Sequence, residues 1–459
     1  MQGGTSIIRR LAAILVPVVI VAWVSTLPAI GHAPVSVGGR DASHTEIRLP
    51  PAEPNTVAFV TGHGPAGHPT ATQVANPATA PAAATDEPAT ALRVALGQLL
   101  AEHAFLVLDA IRSTTLSGPD ASAATEALDR NSSDLAAAFG SVYAGSARQR
   151  FDAMWRTHIE LILDYARAKS SGDSGTMDRD KAALDAYRVE FVRFLASANP
   201  KIDASAEAEA LRLHIEQLLA YTDADFDRAY GAQRAAFEHM FMFGDQLALA
   251  IARQFPTRFS GANVAFAPAA ELRIALDRLL AEHLVLTAEA TRALLDAAPD
   301  ADAAARAIAD NTTELRTAVS SVYDDAAGTA FETAWNQHID RYLELIHDVA
   351  TGDATARATT LARLVGAEGA IVDFFAQAVP GLGRDDLTGM VREHVAGLVA
   401  QLDAYARGDY PAAYAVVHDA YRHMFDIGRA LSAGIAAQFP DRFASLTELP
   451  ATDTTGGSR

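Results

Sequence analysis

The sequence predicts an all-α fold: two tandem homologous helical bundles of about six helices each, arranged as three helical hairpins per unit. Three observations carry that expectation. The chain repeats itself, because Leu92, Glu102, Pro119, Asn131, Tyr143, Phe151, Trp155 and Pro200 return 180 positions later as Leu272, Glu282, Pro299, Asn311, Tyr323, Phe331, Trp335 and Pro380. Apolar residues recur at helical spacing, as in Leu92, Leu96, Leu99, Leu106 and Ala110, or Phe151, Trp155, Ile162 and Tyr165. No segment shows the alternating β-branched pattern of strands.

Taken in order, residues 1–33 hold Arg9 and Arg10, an apolar run over 11–24, and small residues at Gly31 and Ala33, the three parts of an export signal peptide. An uncleaved membrane anchor is the other reading, since residues 11–30 approach the roughly 20 needed to cross a bilayer. Both readings place the folded part outside the cytoplasm, extracellular or associated with the cell envelope. Residues 34–88 shift to Pro, Ala and Thr without helical periodicity and read as a disordered stalk. The first repeat, 89–261, is expected to hold helices near 89–114, 120–142, 146–170, 177–198, 204–223 and 226–254. Breaks fall at Pro119, Gly172, Gly175, Pro200 and Pro256. The second repeat spans 269–445. There His239-Met240-Phe241 returns as His423-Met424-Phe425 and Gln254-Phe255-Pro256 as Gln438-Phe439-Pro440, both 184 positions on. The change of offset puts a four-residue insertion near 404–411, in a loop. Residues 446–459 read as a flexible tail.

Composition narrows the function. Of 459 residues, 50% are apolar and 20% charged, which suits a globular helical chain with real cores. A net charge of −19 and a pI near 5.1, with no basic stripe, argue against nucleic acid as a partner, because phosphate binding needs a Lys/Arg surface. The N-terminal segment is the one indicated membrane tether, and a protein partner is left unspecified. There are no cysteines, so neither disulfides nor thiolate metal sites can form. No Gly-x-Ser-x-Gly, phosphate-cradling Gly loop or His-Glu-x-x-His is present, so a role other than catalysis is the expectation.

Histidine is the residue that stands out. His103, His158 and His214 return 180 positions later as His283, His338 and His394, and His239 returns as His423. Each lies within an apolar stripe and so points inward. The first three fall at similar depth on three helices that an up-and-down topology makes parallel, since a helix rises about 1.5 Å per residue. Four imidazoles per repeat could therefore meet in one layer of each bundle. Neutral imidazoles suit a borderline transition metal, copper or zinc before magnesium or calcium. Four nitrogens would close a site, while three would leave a position open. Haem is the weaker variant: two facing histidines could ligate its iron, yet no Cys-x-x-Cys-His is present. Glu102, Asn131, Glu282 and Asn311 are candidates to orient the imidazoles. Met240 and Met424 could add a thioether, although core filling is the simpler reading. The one Glu-x-x-His, ending at His347, lacks the partners that a di-iron site needs. His347 and His418 have no histidine counterpart in the first repeat.

These residues support two functions: storage, scavenging or sensing of a transition metal, or a cell-envelope interaction scaffold whose histidines are structural hydrogen-bonders in the core. The segments Leu99-Leu100-Ala101-Glu102-His103, Trp155-Arg156-Thr157-His158-Ile159, Ala196-Ser197-Ala198-Asn199-Pro200 and Glu238-His239-Met240-Phe241, with the closing Gln254-Phe255-Pro256, resemble a family of secreted bacterial all-helical repeat proteins. Some of its members carry the label copper amine oxidase-like. The resemblance covers both repeats and implies copper loosely. It does not imply oxidase activity, because the Asn-Tyr-Asp/Glu context from which such enzymes make their quinone is absent.

Overall fold

A computed structural model describes residues 84–443, apart from residue 144. The expected leader, the stalk up to residue 83 and the tail at 446–459 lie outside the described residues. The described chain is all helical and contains no strand. The first unit comprises α1 (Pro88–Thr115), α2 (Ala121–Val142), α3 (Ser146–Ser171), α4 (Ser174–Ala198), α5 (Ala204–Asp223) and α6 (Phe226–Gln254). The second repeats that order with α7 (Pro268–Leu295), α8 (Ala301–Val322), α9 (Asp325–Ala350), α10 (Ala354–Ala378), α11 (Arg384–Ala406) and α12 (Tyr410–Gln438), before a one-turn α13 (Pro440–Phe443).

Local chemistry sets the helix ends. Pro88 and Pro268 open α1 and α7, where a missing backbone N–H costs nothing. Asp173, Asp203, Asp225, Asp324, Asp353 and Asp409 cap α4, α5, α6, α9, α10 and α12, each accepting from backbone N–H groups of the first turn. Gly172 and Gly352, with φ of 73° and 70°, supply the left-handed turns after α3 and α9. The stalk reading stops short at its C-terminal end: residues 84–86 form a 3₁₀ turn whose Asp86 pairs with Arg429 of α12 at 3.0 Å. The four-residue insertion also differs from expectation. Most of it lengthens α11 to 23 residues against 20 in α5, because added residues can keep the backbone hydrogen bonds of a helix going.

In each unit the first helix is central. α1 touches α2, α3, α5 and α6, and α7 touches α8, α9, α11 and α12. α1 is apolar and long enough to cross a membrane by composition alone, yet 72% of its most apolar window is buried by neighbouring helices. Its closest neighbour is α6, and the approach requires glycine. A Cβ on Gly244 would lie 2.9 Å from the Gly97 backbone nitrogen. In the second unit Gly428 occupies the matching place on α12, but Gly97 is replaced by Asp277, which is fully buried and bonded by Arg273 Nε at 2.6 Å. Tyr143 and Tyr323, at the ends of α2 and α8, donate to Gln254 and Gln438 at 2.9 and 3.2 Å. That is the structural use of the repeated Gln-Phe-Pro.

The units pack reciprocally: α6 lies against α8, α12 against α2, and α1 against α7. Such an exchange is what a two-fold relation produces. At its centre is a buried polar network. Arg112 pairs with Asp109 and, at 2.8 Å, with Asp120, and both carboxylates accept from Tyr414 of the other unit. The mirror set is Arg292 with Glu289 at 3.1 Å, Asp300, and Tyr230 of the first unit. Arg112 also lies 3.9 Å from Glu289, linking the halves. Burial and neighbouring Asp109 push the Glu289 carboxyl up, which lessens the negative charge that two arginines must balance. Replacing Arg112 by Met leaves Asp109 and Asp120 buried without a cation, so it should cost about 3–5 kcal/mol in urea unfolding. The same change at exposed Arg167 should stay within about 0.5 kcal/mol; equal costs would show that the network is not what joins the units.

Candidate metal centre

α1, α3 and α5 touch one another pairwise, as do α7, α9 and α11. Each contributes one histidine at the same level. His103, His158 and His214 offer ring nitrogens that all lie within 4.8 Å of one another, and His283, His338 and His394 do the same. Each cluster could hold a metal ion. In the first, Nε2 of His103 and Nε2 of His158 are 3.3 Å apart. Two nitrogens bound to one ion at about 2.0–2.1 Å stand about 3.3–3.6 Å apart, so this pair already has ligand spacing. In the second cluster the three ring centroids lie 5.4 to 6.0 Å apart.

The triads are dry and apolar. All six histidines are at most 5% exposed. Trp155 and Trp335 cover them, their rings 4.7 and 4.8 Å from those of His103 and His283. Ten of the twelve ring nitrogens have no hydrogen-bond partner, and the other two meet only each other. The Trp155 backbone acts on the His158 ring in the opposite sense to burial, and burial is the larger effect. Burial favours the neutral ring: it pushes His158 down to about 3 and His338 to about 4, and holds His103, His214, His283 and His394 well below the ordinary range. Neighbouring imidazoles lower His103, His214, His283 and His394 further. All six rings are therefore uncharged and available as ligands at neutral pH.

The fourth histidine of each unit does not join. His239 donates from Nε2 to the Ala210 carbonyl at 2.8 Å, and His423 to the Met390 carbonyl at 2.9 Å. These are equivalent carbonyls on α5 and α11, so the pair acts as struts between the last two helices of each unit. Met240 and Met424 are fully buried core residues.

Glu102 and Glu282 turn away from the imidazoles, as expected for residues about 100° apart from them on a helix. Asn131 donates to Glu102 at 3.0 Å and to the Leu99 carbonyl, and Asn311 to Glu282 at 2.8 Å and to the Leu279 carbonyl. The expected role of orienting ligands is thus replaced by one at the seam. Glu102 meets His418 Nδ1 of α12 at 2.6 Å, and Glu282 meets Arg234 Nε of α6 at 3.0 Å. Arg234 and His418 stand 184 positions apart, so His418 does have a counterpart, and it is a cation. Comparing the repeats for charge as well as identity would have found it. The chain matches no protein-family model, no curated protein and no solved structure.

Two opposing pH dependences follow. The triad histidines have depressed folded-state pKa values. Their contribution is present above the unfolded value of about 6.5 and is lost as pH falls below it, by up to about 1.4 kcal/mol per histidine per pH unit. The hydrogen bond to Glu102 raises the pKa of His418, with Asp419 adding to this and burial and Arg422 opposing it. Its contribution is present below about 6.5 and is lost as pH rises through the raised value. Urea midpoints of the metal-free chain should therefore fall on both sides, steeply towards acid and gently towards alkali. H418R should flatten the alkaline side in part, the rest of that fall coming from the buried Asp277, Glu289 and Glu207 carboxyls, whose raised pKa values also cost stability as pH rises. A midpoint constant from pH 7.5 down to 5 would contradict the neutral-triad assignment.

Proposed function

We propose that this is a metal-binding protein in which each helical unit holds one transition-metal ion through three histidines, for storage, scavenging or sensing rather than for turnover of a substrate. One observation carries the reading: six imidazoles are buried in two equivalent clusters with almost no hydrogen-bond partners. Buried polar atoms are normally paired, and each unpaired one costs about 1–3 kcal/mol. Six nitrogens arranged in the same way twice are hard to account for as core packing, whereas an ion bound to one nitrogen of each ring satisfies the convergent set at once. The fit is chemical as well as spatial. Imidazole is a ligand for copper, zinc, nickel and iron, and the rings need shed no proton at neutral pH.

The scaffold reading draws support from a different place, the strut histidines His239 and His423, whose hydrogen bonds are ordinary core bonds. Haem fits poorly, because the covering Trp155 and Trp335 rings leave no slot for a macrocycle against the triads. The leader-like residues 1–33 favour an exported setting, extracellular or on the cell envelope, in which a tethered ion-holding domain would meet metals before they enter the cell.

Elemental analysis of untagged chain, exposed to copper, zinc, nickel and iron salts with and without a reductant and then desalted, should give about two ions per chain. H103L should lose one of them and H103L/H283L both, while H239L keeps both. A natively helical wild-type chain that carries no metal from any of these solutions would sink the reading in favour of the scaffold.

A further inference from the structure

Taking the triads to be metal sites, we propose that both are built for a monovalent d¹⁰ cation, Cu(I) with Ag(I) as its probe, rather than for Zn(II) or Cu(II). The argument starts from charge. Each cluster consists of histidines alone, with no carboxylate among the convergent ligand atoms. The sequence places an acid directly beside His103 and another beside His283, yet Glu102 is engaged by Asn131 and His418, and Glu282 by Asn311 and Arg234. These two acids are thus already neutralised at the seam between the units. The cost of moving an ion into an apolar interior grows with the square of its charge, so a divalent ion pays about four times what a monovalent one does. Divalent sites in proteins recover that cost with an anionic ligand, a bound hydroxide, or carboxylates and carbonyls on the outer ring nitrogens. The triads offer almost none of these: apart from the Trp155 backbone at His158, the rings meet no acid and no carbonyl, and both His214 nitrogens and all those of the second triad are without partners.

Coordination number points the same way. Zinc takes four ligands, three from protein and one water at an open site. The one spare imidazole in each unit could supply the fourth, but His239 and His423 are committed to the Ala210 and Met390 carbonyls. The Trp155 ring packs against two of the three imidazoles of the first triad, its centroid 4.7 Å from both His103 and His158. Trp335 covers His283 in the second. Three neutral nitrogens under an apolar lid suit an ion content with three ligands and a single charge. A filled d shell imposes no further geometric demand, so three imidazole nitrogens could satisfy Cu(I) without a water.

The test uses the whole metal-free chain under anaerobic conditions. Cu(I) is delivered from a chromophoric chelator, and Zn(II) is titrated separately against its own indicator. The expected result is two Cu(I) per chain, replaceable by Ag(I), with Zn(II) weaker by at least about 100-fold. X-ray absorption of the loaded wild-type chain should show three nitrogen ligands and no oxygen, a readout that does not depend on any variant folding. Zn(II) binding at two per chain as tightly as Cu(I), and lost in H103L/H283L, would overturn the monovalent assignment and leave the metal function standing. A four-ligand copper spectrum would overturn it as well. A chain with native helical circular dichroism that takes neither ion would remove both.

Discussion

The architecture depends on one constraint: the C-terminal halves of α1 and α7 are buried on every side, and the cover is shared between the two units. Residues 100–113 of α1 and 279–293 of α7 are buried almost without interruption. On one flank, the remaining helices of the unit supply cover. On the other flank, cover comes from the second unit, through α12 over α2 and α6 over α8. Two helix halves with no solvent face leave polar residues on them nowhere to go except into matched partners. The polar content of α1 follows that rule. Glu102, Asp109 and Arg112 face the other unit and find cations, anions and tyrosines there, while His103 faces inward among apolar rings.

That division sorts charge by location. At the seam, full charges are kept because each has an opposite within reach, and breaking one pair would strand the other. Inside each unit no ion pair reaches the triad, and burial holds the imidazoles neutral. The seam therefore does more than join the units. By engaging Glu102 and Glu282 it withdraws the acids adjacent in sequence to His103 and His283, and the triads are left with no ion pair, their polar surroundings being nitrogen lone pairs and, in the second unit, buried hydroxyls.

Much of this was legible in the sequence, and the failures have identifiable causes. Helical spacing, Pro and Gly breaks, and the offset of 180 located six helices per unit because those signals are local. The convergence of His103, His158 and His214 followed from counting their depth along helices taken to be parallel. The fourth histidine was included on the same count, but depth along a helix says nothing of rotation about it, and the rotation of α6 aims His239 at a carbonyl of α5. The seam is not legible in the sequence although most of its residues are repeated. Tyr230 with Tyr414, Arg112 with Arg292 and Asp120 with Asp300 do recur, and Arg234 with His418 recurs as charge. Their meaning depends on the units exchanging helices, a long-range fact that no local pattern encodes.

The surroundings of the two triads differ more than the triads do. Tyr187 stacks on His158 with ring centroids 5.2 Å apart, and its place in the second unit is taken by Ala367. Below the second triad, Thr287, Thr291 and Tyr342 form a run of hydroxyls, with Thr287 bonded to the His283 carbonyl and Thr291 to Tyr342 at 3.0 Å. The matching residues in the first unit are Val107, Ile111 and Ile162. A histidine held only by packing would be expected to change along with neighbours that alter so much in volume and polarity, since interiors are close-packed and respond to single methylenes. In this chain the neighbours have diverged around three fixed imidazoles and a fixed tryptophan. The feature common to both units is therefore the set of nitrogens, an arrangement that could hold an ion and that the packing of a hydrophobic core does not require.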